Sequence, residues 1–232
     1  MENETNPSFQ SNGQYCSKTP KDNSQYREQT YWEKRFQTED QYEWLCTYND
    51  LQDYIKRDLK EEDKIIILGC GNSTFSSDLC DAGFSNVTSV DFSTAVINAM
   101  RKKYESSHPT LEWIVSDVRN LKEIPNDMFD VVIDKACLDA LVCDEGDPWE
   151  PNVRTKTDVH STLSSVVRIL KPENSSFISI GFQQPHFRKR YLQFQGSNYG
   201  WEQDIETSSI NVGMGYFYTH CKLNVKNEST SK

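Results

Sequence analysis

Between residues 64 and 181 the chain alternates short unbroken apolar runs with stretches whose apolar residues recur every three or four positions. Ile65, Ile66, Ile67 and Leu68 form a run suited to a strand covered on both faces. After Gly69 and Gly71, Ser73 is placed to N-cap a helix whose apolar face carries Phe75, Leu79 and Ala82, with Gly83 at its stop. Residues 86–91 predict a second strand, and Ser93 then caps a helix with Val96, Ala99 and Met100 on one face. A third strand is expected over 111–115, ending near Asp117, and a fourth over 129–133, ending at Asp134 and Lys135. Val159, Leu163, Val166, Val167 and Leu170 describe an amphipathic helix stopped by Pro172, and a strand follows around 177–180. Alternation on this scale makes the chain an α/β protein with a parallel sheet and helices on both faces. Two further β-like runs, near 200–208 and 213–223, are close enough to pair as a hairpin, so the last strand should run antiparallel.

The ends read differently. Residues 1–23 are rich in Asn, Ser, Gln, Lys and Glu with almost no aliphatics, a composition that buries too little surface to offset ordering entropy. They are expected to be a disordered arm, residues 24–223 the folded domain and 224–232 a disordered polar tail. From Tyr26 aromatics crowd the chain (Tyr31, Trp32, Phe36, Tyr42, Trp44), leading into an expected helix at 41–58 with Leu51, Tyr54, Ile55 and Leu59 near helical spacing. This segment reads as one that docks on the core.

At 232 residues and without an internal repeat, one domain is the simplest organisation. The formal net charge of −10 argues against a nucleic-acid partner, which calls for a basic stripe. Seven cysteines without a C-x-x-C pair, and no stretch resembling a signal peptide or membrane span, predict reduced intracellular thiols. The sequons at Asn72 and Asn86 agree, since glycans there would block the glycine turn or a strand start.

The chemistry concentrates where the strands end. Gly69 and Gly71 let the backbone turn tightly and approach a ligand, and Asp91 follows Gly69 at about the 20-residue offset at which an acid meets ribose hydroxyls. A dinucleotide fingerprint would place a third glycine against the pyrophosphate, where this chain has Thr74. That favours S-adenosylmethionine over a nicotinamide dinucleotide, with an ordinary glycine turn as the plain alternative. Asp117 with Val118 is placed to read adenine, and the Lys135 carbonyl to accept from the methionine ammonium while its side chain stays solvated. Asp134 and Asp139 are the nearest carboxylates to the expected transfer point and could orient an amine, or serve as caps. His186, in the run Pro-His-Phe-Arg, is the one histidine placed to line a pocket. The histidines at 108, 160, 186 and 220 show no ligand spacing, so no metal is expected, and no G-x-S-x-G elbow supports a covalent hydrolase. The acidic loop 144–150, with Trp149, could attract a lysine-bearing segment.

The ordered set of these motifs resembles the class I, seven-strand methyltransferases dependent on S-adenosylmethionine, most of all the eukaryotic elongation factor 1-alpha lysine methyltransferases. The pieces are the runs 31–33 with Phe36, 42–44, 68–73, 86–92, 117–119, 129–141, 147–149 and 185–188. The resemblance implies a three-layer αβα Rossmann-like fold. It also implies S-adenosylmethionine contacts from Trp32, Phe36, Trp44, Gly69, Gly71, Asp91, Phe92, Asp117, Val118 and Lys135. It further implies a protein-lysine substrate, elongation factor 1-alpha, for a cytoplasmic monomer that binds neither nucleic acid nor membrane. Ile67 and Ser73 depart from the general class I pattern but are shared by the close family, whereas Phe36 lacks the hydroxyl of the tyrosine usual there. A small-molecule methyltransferase and an inactive cofactor-binding module are the alternatives.

Overall fold

The computed structural model describes residues 19–193, 199–201 and 205–224. The expected disorder before residue 19 and after 224 lies outside them, and Asp22 already caps a 3-10 turn at Asn23–Arg27. Seven strands form one sheet: β1 (Ile65–Leu68), β2 (Val87–Asp91), β3 (Glu112–Val115), β4 (Val131–Lys135), β5 (Glu173–Gly181), β6 (Glu206–Ile210) and β7 (Tyr216–Asn224). Their spatial order is β3-β2-β1-β4-β5-β7-β6. Pairs from β3 through β5 are parallel, and β7 runs antiparallel to both β5 and β6. Among the described residues seven α-helices accompany them: α1 (Gln29–Phe36), α2 (Tyr48–Asp58), α3 (Phe75–Asp81), α4 (Thr94–Tyr104), α5 (Cys137–Val142), α6 (Val153–Ile169) and α7 (Pro185–Leu192). None is long and apolar enough to cross a membrane.

The continuous apolar strands are explained by two cores. Ile65 and Ile67 face one core with Leu51, Ile55, Leu79, Ile97 and Met100, while Ile66 and Leu68 face the other with Leu163, Val166, Phe177 and Leu192. Alternate side chains leave opposite faces of a strand, so a strand buried on both sides must be apolar throughout. The chain leaves β1 toward β2 and β3 and later returns to β1's other side with β4. The order therefore reverses between β1 and β4, and a crevice opens at the carboxyl ends of these strands.

Several boundaries differ from the pattern-based reading. The helix expected at 41–58 begins only at Tyr48, because Thr47 and Asp50 form a capping box and Leu45 sits at φ 66. Residues 41–47 form an extended strap, so Tyr42 and Trp44 are not on a helix. Thr74, not Ser73, is the N-cap residue of α3, though the Ser73 hydroxyl accepts from Phe75 N at 3.0 Å. Ser93 caps α4 as expected, accepting from Val96 N. Asp134 and Lys135 belong to β4 itself. The run expected at 200–208 partly lies outside the described residues, and its strand is Glu206–Ile210. α1, α5 and α7 had no counterpart in the hydrophobic pattern, being short helices of 8, 6 and 8 residues.

Candidate active site

The turn after β1 makes two left-handed bends, at Gly69 (φ 56) and Gly71 (φ 53). A Cβ on Gly69 would stand 2.6 Å from Cys137 Sγ, so the bend and the close packing both require glycine. At the end of β2, Asp91 lies 5 % exposed and accepts from Gly71 N at 3.0 Å and from Ser93 N at 2.9 Å. Burial pushes its carboxyl up to about 6, against the pull of those backbone N–H groups. Beyond β3, Asp117 is forked by Arg119 through Nε and Nη2, the latter at 2.6 Å. Burial raises this carboxyl, but the Arg119 hydrogen bonds and charge outweigh it and leave it below the ordinary range.

The N-terminal segment closes one side. α1 is tied to the start of α4: Gln29 Nε2 donates to Phe92 O, and Ala95 N donates to Glu33 Oε1 at 3.0 Å. Trp32 stacks on Phe36 and meets Trp44 edge-on. The Arg35 guanidinium, paired with Glu39, lies 5.1–5.4 Å from the Trp32, Tyr42 and Trp44 ring centroids. Lys135 is buried, not solvated as expected. Its ammonium donates to Trp44 O at 2.9 Å and Cys46 O at 3.3 Å and faces Glu43 at 3.6 Å, fastening the strap to the end of β4.

On the β4–β5 side, Asp134 is fully buried and accepts from Leu138 N at 2.9 Å and Ser179 Oγ at 2.7 Å. Burial pushes its carboxyl up to about 6. Asp139 is ion-paired with Arg188 and accepts from Phe182 N. Gly181 leaves room for that pair, since a Cβ there would meet both partners at 2.9 Å. Next to them the Glu145 carboxylate accepts from Tyr191 and from Gln183 Nε2.

One cavity of about 910 Å³ gathers these groups at the strand ends. It is lined by Trp32, Phe36, Trp44, Gly69, Gly71 and Asp91, and equally by Phe92, Asp117, Val118 and Lys135. Asp139 also lines it, whereas Asp134 and His186 do not; His186 stacks on the exposed Trp149 outside. The sequence assigns Glu43, Cys137 and Gln183 no separate role and marks Glu145 only as part of the acidic loop, yet all four line the cavity. Gln183 follows the carboxyl end of β5, and the rule that ligands sit beyond strand ends would have marked it. The donor set suits a nucleoside cofactor: a buried carboxylate at the end of β2, a glycine turn open to close approach, aromatic walls, and Thr74 where a pyrophosphate site would need glycine.

A methyltransferase-domain family model matches residues 65–173. EEF1A lysine methyltransferase 4 of Bos taurus is 40% identical over 185 residues, covering 78% of this chain and 71% of that protein. Its Mus musculus counterpart is 38% identical over 204 residues, covering 87% and 78%. The eEF1A lysine and N-terminal methyltransferase of Mus musculus is 32% identical over 78% of this chain but only 25% of its own length. Among solved structures, a methyltransferase from Pyrococcus furiosus superimposes with TM-score 0.61 at 13% identity, over 80% of this chain and 88% of that one. A SAM-dependent methyltransferase from Methanosarcina mazei gives 0.56 at 18% identity, over 75% and 98%. These two share the fold.

Proposed function

The chain belongs to the EEF1A lysine methyltransferase family of S-adenosylmethionine-dependent enzymes, and from that membership we propose that it methylates a lysine side chain of elongation factor 1-alpha. The observation that carries this reading is the cavity at the β1/β4 crevice, in which the cofactor-type residues meet an exposed rim. Phe182 and Met214, 52% and 91% exposed, line both the cavity and its mouth, so a side chain on a large partner has a way in.

The residues take the following roles. Asp91 accepts from the ribose hydroxyls, and Asp117 with the Val118 backbone reads the adenine edge. Gly69 and Gly71 admit the methionine portion close to the backbone. Trp32, Phe36, Trp44 and Phe92 exclude water, and Lys135 holds the strap that carries Trp44. When bound, S-adenosylmethionine supplies a methyl group on a positively charged sulfur.

The lysine amine must arrive neutral, from an ordinary pKa of about 10.4. Transfer from water into this largely apolar cavity disfavours the ammonium, which releases its proton to solvent before burial. Asp134 and Asp139 are committed to Ser179, Leu138, Arg188 and Phe182, so neither is assigned as proton acceptor. What remains for the protein is positioning and desolvation. The same reading has the enzyme act as a cytoplasmic monomer on a protein, without binding nucleic acid or membrane.

Incubating the enzyme and tritiated cofactor with cell extract, resolved by gel and by filtration, tests the substrate class. Label should appear in a protein band near the mass of elongation factor 1-alpha. Label confined to the small-molecule filtrate would replace the protein substrate by a metabolite, and no label in either would leave a cofactor-binding module.

A further inference from the structure

Gln183 stands out among the polar groups that line the cavity. It is 8% exposed, and its side-chain oxygen is buried with no hydrogen-bond partner among the described residues. Its amide cannot be reversed to remedy this. Nε2 faces both Glu145 oxygens, at 3.2 and 3.4 Å, and turning the amide would set an acceptor against a carboxylate. Glu145 is itself fixed from the other side by the Tyr191 hydroxyl. Burial, then the hydrogen bond to Glu145 and its charge, hold that phenol protonated, so toward the carboxylate it is the donor. Tyr191, Glu145 and the Gln183 amide thus form a relay of fixed polarity that ends in a bare carbonyl oxygen. A buried acceptor left unpaired costs about 1–3 kcal/mol, so its retention calls for a donor supplied from outside the chain.

Gln183 lies just past β5, two strands along the sheet from the β1 glycine turn and three from β2, which ends at Asp91, and it lines the cavity together with Phe182, Asp139 and Pro148. The cofactor roles assigned above leave this wall to the substrate. A neutral lysine amine brings N–H donors and one lone pair, so anchoring an N–H fixes where the lone pair points.

We propose that Gln183 is the substrate-positioning residue of this site: its side-chain oxygen accepts a hydrogen bond from the incoming lysine amine, and Glu145 holds the amide in that orientation. The proposal rests on the lysine-methyltransferase reading above and adds the group that recognises the amine. Because one neutral acceptor orients the amine without adding charge, Gln183 governs turnover more than docking, which belongs to the exposed rim.

The test compares wild type, Gln183→Met and the double variant Glu145→Gln with Gln183→Glu on purified elongation factor 1-alpha, with cofactor affinity from calorimetry and folding from thermal melting. Gln183→Met should fold and bind cofactor within about twofold of wild type, keep KM for the protein substrate, and lose about tenfold in kcat, the worth of one aligned hydrogen bond. The exchanged pair Glu145→Gln with Gln183→Glu, in which the amide now at 145 donates to the carboxylate at 183 and an acceptor oxygen still faces the amine, should recover most of the lost kcat. Wild-type kcat in Gln183→Met, or no recovery in the exchanged pair, overturns the assignment. Should Gln183→Met fail to fold, Glu145→Met carries the test, since it leaves Gln183 in place and removes the acceptor that tethers its amide. A fall in kcat at unchanged cofactor affinity then supports the proposal, and unchanged kcat overturns it. If wild type leaves elongation factor 1-alpha unlabelled, the failure lies in the substrate reading beneath the proposal, and both fall.

Discussion

Asp91 is the residue whose environment makes the sharpest demand. Its carboxyl is raised from 3.8 to about 6 by burial, and it accepts two backbone N–H bonds. A group whose folded pKa is raised favours folding when protonated, so the free protein gives up stability as pH rises from near 3.8 through about 6. Ribose hydroxyls donate to the ionised form, so cofactor binding should release a proton and strengthen as pH rises from about 5 to about 7, then level off. Calorimetry across that range checks this, and Asp91→Asn should bind weakly with the pH dependence gone. Asp134, also raised to about 6 but outside the cavity, should leave the cofactor's pH dependence intact as Asp134→Asn. The two glycines make a second comparison. Gly69→Ala brings both left-handed strain and a 2.6 Å collision with Cys137, whereas Gly71→Ala adds the strain and only an ordinary 3.5 Å contact with Phe36. Each should lose at least about 1 kcal/mol of stability, with Gly69→Ala clearly the worse in thermal melts and cofactor titration. The glycine bends and the carboxylate at the end of β2 could be read from spacing because local backbone geometry sets both. Lys135 could not be read in this way: its partner Trp44 lies 91 positions away, and only the folded strap shows that the ammonium is buried.

Between β4 and the N-terminal strap, that ammonium acts as a clasp on a whole element. Removing it leaves the Trp44 and Cys46 carbonyls and the Glu43 carboxylate without their cation. Lys135→Met should therefore free the strap and cost cofactor binding on the order of 1.5–3 kcal/mol, the range for hydrogen bonds to a charged group. The core strands should stay intact, so a cooperative melt with weakened titration is the expected pair of results. Lost cooperativity would instead make Lys135 a fold-supporting residue. At this scale the parallel strands and the α4 and α6 helices were legible, since their apolar runs and caps are local signals. The strap was not: the aromatic residues at 42 and 44 continue the helical spacing of α2, and the capping box at Thr47 and Asp50 together with the Leu45 bend overrides it. α1, α5 and α7 are short and rich in polar residues, and they take their places through tertiary bonds such as Gln29 to Phe92 and Asp139 to Arg188.

Across the whole molecule, a net charge of −10 and the acidic loop beside the cavity mouth favour a basic partner. Glu150 is paired with Lys156, and Arg190 binds the Pro148 and Trp149 carbonyls, so the loop is held as a fixed rim. Raising salt from 50 mM to about 300 mM should raise KM for the protein substrate while kcat and cofactor affinity change little, because screening weakens approach more than buried contacts. Sheet order and cavity position follow from the α/β alternation, which is why the fold could be read with few errors; the substrate wall could not, because Gln183, Glu145 and Tyr191 meet only through tertiary structure. The most direct measurement is mass-spectrometric mapping of recombinant elongation factor 1-alpha after incubation with the purified enzyme and S-adenosylmethionine. The account predicts added mass in steps of one methyl group on a defined lysine, absent with the Asp91→Asn variant; an unmodified factor, or methyl groups on residues other than lysine, would contradict it.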